Sequence, residues 1–241
     1  MKILSIDTAS NICGVSILEN TNTICTLDKA TGRTHSENLM TMIDNCFKTT
    51  NLSLKDIDLI ACDIGPGSFT GIRIGVSTAK AFYDSLNIPC IGISSLETLA
   101  YNEINNLSEN NCICSIIDCK NDNCYFALYE KKNGMLNNLI EPQAETIDSA
   151  LSILKSYSED TLDGSTITFV GDGTSIYTTQ IKEAFSNDKF TDEKSNIISS
   201  ISLGIAAFDK YSSGFEQNEV LPLYLKKPQA QRQLEEKLRN S

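Results

Sequence analysis

The amino-acid sequence predicts an α/β chain of two related lobes. Three observations carry that expectation. Apolar segments of strand length alternate with segments of helical periodicity. A glycine-rich loop joins one buried strand, residues 58–64, to a long helical segment that ends near Leu86. A strand, an Asp-containing turn and a second strand occur near the N-terminus and again from Cys112 onward. That echo predicts two lobes rather than one continuous sheet.

Residues 3–6, 13–19 and 23–28 read as three strands, separated by the turn-rich segments Asp7-Thr8-Ala9-Ser10 and Asn20-Thr21-Asn22. A helix over 36–47 follows, with Leu39, Met42/Ile43 and Cys46/Phe47 at helical spacing. Next come the strand at 58–64, the glycine loop and its helix, and a strand at 90–93. Ser94 and Ser95 then open a helix with a capping pattern. The pattern restarts after the Asn-rich segment 102–111. Strands are expected at 112–118 and 124–129, a helix at 147–156, and a strand at 166–170 that leads into Gly171-Asp172-Gly173 and another helix.

The chain has 241 residues, enough for one large or two modest domains. No apolar run is long enough to cross a bilayer. An acid follows the first strand at Asp7, which excludes a signal peptide and points to the cytoplasm. The formal net charge of −11 disfavours direct binding to nucleic acid. Lys226, Lys227, Arg232, Lys237 and Arg239 make the tail locally basic, which reads as a solvated terminus. Nine cysteines lie mostly in apolar strands and include no C-x-x-C pair, so reduced structural thiols are expected rather than a zinc ribbon.

The block Gly65-Pro66-Gly67-Ser68-Phe69-Thr70-Gly71-Ile72-Arg73-Ile74-Gly75 is the most distinctive motif. A loop of this kind before a helix can cradle phosphate at the helix N-terminus. Its spacing fails both standard nucleotide patterns, since Ile72 stands where a Walker lysine belongs and Thr70 where a third dinucleotide glycine belongs. Gly71, Gly75 and Ala79 fall four apart, leaving a helix stripe almost without side chains that invites close approach. The lone histidine, His35, reads either as an interface or acid–base residue or as a polar residue at a helix start.

These motifs, with Leu4-Ser5-Ile6-Asp7-Thr8 and Ser94-Ser95-Leu96-Glu97, resemble the TsaB (YeaZ) family. The likeness is strong over the first hundred residues. It is weaker through Ile117-Asp118, Tyr125 and Gly171-Asp172-Gly173 to Leu221-Pro222-Leu223-Tyr224-Leu225. The resemblance implies the two-lobed actin/Hsp70/sugar-kinase (ASKHA) superfold, an α/β architecture of mixed sheets flanked by helices. It implies an N-terminal lobe over 1–101 that carries the partner-binding helices, and a second lobe over 102–241 with a C-terminal helix and tail. It further implies a non-catalytic subunit in the synthesis of threonylcarbamoyladenosine beside the tRNA anticodon. Such a subunit pairs with and activates a catalytic paralogue, TsaD. It meets a TsaE-like ATPase through the complex, forms homodimers when alone, touches tRNA only indirectly and has no membrane partner.

The catalytic paralogue carries a His-x-Glu-x-His pattern whose histidines bind metal. The matching segment here is Ser95-Leu96-Glu97-Thr98-Leu99, so neither ligand is present and no metal site or catalytic residue is expected. Asp7, Thr8, Asp118, Gly171 and Gly173 match positions where nucleotide-binding members of the superfold hold phosphate, metal and adenosine. They read either as a vestigial nucleotide site or as acids and glycines kept for tight turns. No cofactor is expected. The family often has Asp-Ala-Arg where this chain has Asp118-Cys119-Lys120. The alternative function is an ATP-binding ASKHA-type kinase or ATPase.

The expected partner surface is a four-helix bundle built on residues 36–47 and 72–86. It draws on Met40, Phe69, Gly71, Ile72, Gly75, Val76, Ala79, Phe82 and Tyr83. The competing reading is that both helices only cover their own sheet, and a second apolar stripe would distinguish the two. On the partner reading, Gly75→Arg or Val76→Asp leaves the fold intact and abolishes pairing.

Overall fold

The computed structural model describes residues 1–30, 34–162, 166–186, 189–215 and 220–226. The basic tail beyond Lys226 lies outside them. Strands β1 (Lys2–Asp7), β2 (Ile12–Glu19) and β3 (Asn22–Ala30) form a meander, followed by helix α1 (His35–Thr50). Strand β4 (Leu59–Asp63), helix α2 (Phe69–Leu86), strand β5 (Cys90–Ile93) and helix α3 (Ser95–Tyr101) complete the first half. The second half runs β6 (Cys112–Asp118), β7 (Asn123–Lys132), β8 (Met135–Thr146), α4 (Ile147–Thr161), β9 (Ile167–Val170), α5 (Asp172–Ile176), α6 (Thr178–Ala184), β10 (Lys189–Phe190) and α7 (Ser200–Ser212).

The two sheets have the same plan. The first is ordered β3-β2-β1-β4-β5 and the second β8-β7-β6-β9-β10. In each, the central strand pairs antiparallel with the hairpin that follows it and parallel with a strand reached by a crossover. The echo in the sequence is therefore a duplicated topology.

Burial explains the sequence pattern. Leu4, Ile6, Val15 and Ile17 face α1 and α2 on one side of the first sheet, meeting Leu39, Ile43, Ile72, Val76 and Ala79. Ile3, Leu18, Leu59 and Ile93 face Leu203, Ala206 and Ala207 of α7 on the other. With both faces covered, β1 and β4 read as continuous apolar runs. In the second sheet, Ile116, Phe126 and Leu128 meet Leu151 and Leu154 of α4 and Ile181 of α6. Its opposite face, with Ile113, Ala127 and Tyr129, packs on Leu96 and Leu99 of α3. Helices α3 and α7 thus form a middle layer between the sheets. The C-terminal helix, grouped by sequence with the second lobe, lies against the first sheet.

Two details explain what sequence patterns miss. Strand β8 contains Asn137, Asn138 and Pro142 and carries no apolar alternation, because it is an edge strand with irregular pairing to β7. Helices α1 and α2 both end at asparagines, Asn51 (φ 54°) and Asn87 (φ 57°), whose left-handed conformation closes the last turn.

The stripe of small residues on α2 has an intramolecular cause. A Cβ on Gly71 would lie 1.9 Å from the Thr8 carbonyl oxygen, and one on Gly75 would lie 2.6 Å from Thr8 Oγ1. A Cβ on Gly67 would lie 2.3 Å from the Ala9 carbonyl oxygen. The β1–β2 turn presses into this helix, and Thr8 Oγ1 donates to the Gly71 carbonyl at 2.7 Å. Of the residues expected to form the partner surface, Gly71, Ile72, Gly75, Val76, Ala79 and Phe82 are buried in this chain's own core. The physical reason is that one amphipathic helix buries one stripe, and sheet and turn already occupy it. Phe69 is half-buried, whereas Met40 (52%) and Tyr83 (41%) remain exposed.

This packing reverses the expected outcome of the two substitutions. Gly75→Arg collides with Thr8. Val76→Asp buries an unpaired carboxylate and should cost more than about 3 kcal/mol. Gly71→Ala, the smallest possible change, should also destabilise strongly, because the atom it meets is backbone. Urea unfolding checks all three, and a Gly71→Ala protein with the wild-type midpoint would contradict the close approach.

Candidate functional site

The site lies where the central strands end, a common place for ligands in α/β sheets. Asp7 closes β1, Asp63 closes β4, and Asp118 closes β6. Because Ile6 pairs with Cys62 in a parallel ladder, Asp7 and Asp63 leave adjacent strands at the same level.

Asp7 and Asp63 are fully buried. Asp7 Oδ1 accepts from the Ala9 amide at 2.8 Å. Asp63 Oδ1 accepts from the Gly65 amide at 2.7 Å and from Ser95 Oγ at 2.6 Å. The second oxygen of each carboxyl, Asp7 Oδ2 and Asp63 Oδ2, has no partner. Burial, with the neighbouring Asp63 charge added, holds the Asp7 carboxyl well above the usual carboxylate range. Burial raises Asp63 to about 6, against the downward pull of its bonds from Ser95 and Gly65. Sequence reasoning did not single out Asp63. Its signal was an acid ending an apolar strand, as at Asp7 and Asp118.

His35 is the buried first residue of α1, and its Nε2 lies 2.9 Å from the Ser10 carbonyl oxygen. It ties the helix start to the β1–β2 turn. Ser68 caps α2 by accepting from the Gly71 amide at 3.2 Å and anchors to the same turn through its own amide and the Ala9 carbonyl at 2.7 Å.

The second half is arranged differently. Asp118 accepts from Lys120 Nζ at 2.7 Å and from Tyr177 Oη at 2.8 Å. Burial pushes this carboxyl up, but those bonds outweigh it and leave it below its ordinary value. The Asp118 amide donates to Asp172 Oδ1 at 3.0 Å. A Cβ on Gly171 would lie 2.3 Å from the Ile116 carbonyl oxygen, and one on Gly173 would lie 2.5 Å from Ile116 Cγ2. These glycines admit the end of β6, as Gly67 and Gly71 admit the β1–β2 turn. That observation favours the tight-packing reading of Gly171 and Gly173 over a nucleotide cradle.

Residues 220–226 run beside this region from one half to the other. The Leu223 amide donates to the Ile64 carbonyl at 2.8 Å. Tyr224 stacks on Phe69 with ring centroids 4.6 Å apart and accepts from Arg73 Nε at 2.9 Å. The Arg73 guanidinium lies 4.0 Å from the Phe69 ring centre. Lys226 Nζ donates to Cys119 Sγ at 2.9 Å. Phe69, expected on a partner surface, is thus engaged by the chain's own C-terminal segment.

Ser95 and Leu99, at the two ends of the segment after β5, are both committed within the fold. Ser95 is spent on Asp63, and Leu99 is buried against the second sheet. Glu97 between them pairs with Lys210 Nζ at 2.7 Å and joins α3 to α7.

The acid pair has a measurable consequence. Between about pH 4 and pH 6 the folded chain holds a proton on Asp63 that the unfolded chain has released, so stability falls as pH rises through that window. Asp63→Asn should make the slope shallower, the remainder belonging to buried Asp7, and raise stability at pH 7 by an amount on the order of 2 kcal/mol. Chemical denaturation at pH 4.0, 5.0, 6.0 and 7.0 checks this, and an unchanged slope in the variant would refute it.

Comparison with known proteins gives the lineage. A family model described as TsaD, tRNA N6-adenosine threonylcarbamoyltransferase, matches residues 26–234. The tRNA threonylcarbamoyladenosine biosynthesis protein TsaB of Bacillus subtilis is 31% identical over 190 residues, covering 79% of each chain. TsaB of Escherichia coli is 34% identical over 136 residues, 56% of this chain and 58% of that protein. The structure of YeaZ from Pseudomonas aeruginosa superposes with a TM-score of 0.75 at 21% identity, covering 93% of this chain and 99% of that one. A ROK hexokinase from Thermus thermophilus shares the fold more distantly, with a TM-score of 0.55 at 9% identity and coverage of 89% and 100%. The two mixed sheets share their α/β two-lobed fold with that hexokinase. With the relatives and the matched family model agreeing along most of its length, the chain belongs to the TsaB (YeaZ) branch of the TsaD family.

Proposed function

We propose that this protein takes part in tRNA threonylcarbamoyladenosine biosynthesis as a non-catalytic subunit. In this reading it pairs with a TsaD-like paralogue and activates it, and a TsaE-like ATPase joins the assembly. It reaches tRNA only through the complex and works in the cytoplasm. No helix among the described residues is long and apolar enough to cross a membrane.

The observation that carries the non-catalytic reading is the fate of the two ligand positions. Ser95 donates to a buried carboxyl and Leu99 is a core hydrocarbon, so a two-imidazole metal site cannot be built on these positions. The engagement of Asp118 by Lys120 supports it, because a nucleotide's metal would have to displace that ammonium group. The alternative, an ATP-binding kinase or ATPase, has no comparable support from the site.

We place the partner surface on the outer layer of the first half. Helices α1 and α2 lie together there, and their exposed apolar residues are Met40, Tyr83 and Leu86. Aromatic and long apolar side chains of this kind anchor interfaces. Without the paralogue the same surface would pair two copies. We draw the lobe boundary near residues 101/102, with α7 returning to the first sheet.

Met40→Asp with Tyr83→Asp should weaken co-purification with the paralogue at least 10-fold while leaving the melting temperature unchanged, since both side chains are exposed. Reconstituted tRNA modification should need this chain together with the TsaD-like and TsaE-like proteins and the enzyme that makes the threonylcarbamoyl adduct. Undiminished pairing by the double variant would overturn the surface. Modification by this chain alone, or tight ATP binding by calorimetry, would overturn the non-catalytic role.

A further inference from the structure

All nine cysteines are free thiols, and seven are buried. One thiol–thiol contact stands out among the described residues: Cys25 Sγ lies 3.4 Å from Cys46 Sγ. Cys25 is half-buried on β3, the edge strand of the first sheet, opposite Ile17. Cys46 is buried near the end of α1, beneath the outer helical layer. The other half-buried thiol, Cys119, accepts from Lys226 Nζ at 2.9 Å.

We propose that Cys25 and Cys46 form a peroxide-responsive dithiol pair whose oxidation ties edge strand β3 to helix α1. The sulfurs must close from 3.4 Å to about 2.05 Å. Strand β3 is suited to that movement. It has one neighbouring strand, and its register with β2 shifts beside Cys25, between Ile17 and Leu18.

The chemistry follows from exposure. Cys25 meets the oxidant first, because Cys46 is buried. Its sulfur attacks one oxygen of hydrogen peroxide, the O–O bond breaks, and the departing hydroxide leaves as water with the Cys25 thiol proton. Cys46 sulfur then attacks the Cys25 sulfenic sulfur. The S–O bond breaks, and hydroxide leaves as a second water with the Cys46 proton. Two thiols are oxidised by two electrons and one peroxide is reduced to two waters. Burial and the Cys25 contact push the Cys46 thiol up to about 12, so the second step is the slow one.

The test uses the full chain treated with hydrogen peroxide, with excess peroxide removed before unfolding and alkylation. Intact mass should fall by two hydrogens, and non-reducing peptide mapping should find Cys25 joined to Cys46. Cys25→Ser should abolish the link, and Cys119→Ser should leave it in place. Oxidised wild type should melt higher than its reduced form and exchange α1 and β3 amides more slowly, with neither effect in Cys25→Ser. Cys46→Ser is buried and risks misfolding, so the half-exposed Cys25→Ser decides the outcome. No intramolecular link at any peroxide concentration, a link between other cysteines, or one that survives Cys25→Ser would overturn the proposal.

Discussion

The carbonyls of Ala9 and Thr8 press against the loop and first turn of helix α2, where Gly67 and Gly71 leave room, and the Thr8 hydroxyl faces Gly75 one turn on. Most of the first half depends on that approach. It sets the distance between β1 and α2, so that Ile72, Val76 and Ala79 reach the sheet. It also gathers the amide of Ser68, the hydroxyl of Thr8 and the ring of His35 around one turn. A side chain at Gly67 or Gly71 would have to displace backbone, which cannot give way as a flexible side chain does, whereas one at Gly75 would meet the Thr8 hydroxyl.

The second half repeats the device with different residues. Gly171 and Gly173 admit the end of β6 as Gly67 and Gly71 admit the β1–β2 turn, and the two sheets share one strand plan. The repeats differ in electrostatics. Asp118 is balanced by Lys120 and Tyr177, whereas Asp7 and Asp63 are fully buried and, among the described residues, accept only from Ala9, Gly65 and Ser95. One half therefore stabilises its acid in the charged form, and the other favours protonation. A duplicated backbone does not impose duplicated chemistry.

The middle layer connects the halves. Helix α3 presents Leu96 and Leu99 to the second sheet, while α7 presents Leu203 and Ala207 to the first, and the Glu97–Lys210 pair links the two helices. Residues 220–226 make a second connection through Leu223, Tyr224 and Lys226. Both links come from the C-terminal part of the chain, so the last described residues bind the first sheet to the second.

Sequence alone determined the α/β class, the repeat, the absence of any C-x-x-C pair and the identities of Ser95 and Leu99. Each rests on local pattern or on residue identity. Apolar runs mark doubly covered strands such as β1 and β6, and leucine at position 99 cannot coordinate a cation wherever the fold places it. Tertiary structure decided what local pattern cannot carry. It assigned the Gly71/Gly75 stripe to an internal turn rather than a partner, because a bare helix stripe says that something approaches and not what. It revealed β8, whose edge position tolerates a polar sequence with proline, and it returned α7 to the first sheet. It also paired Asp63 with Asp7 and Cys25 with Cys46. Those partners lie 56 and 21 residues apart in the chain, and only strand register and helix packing bring them together.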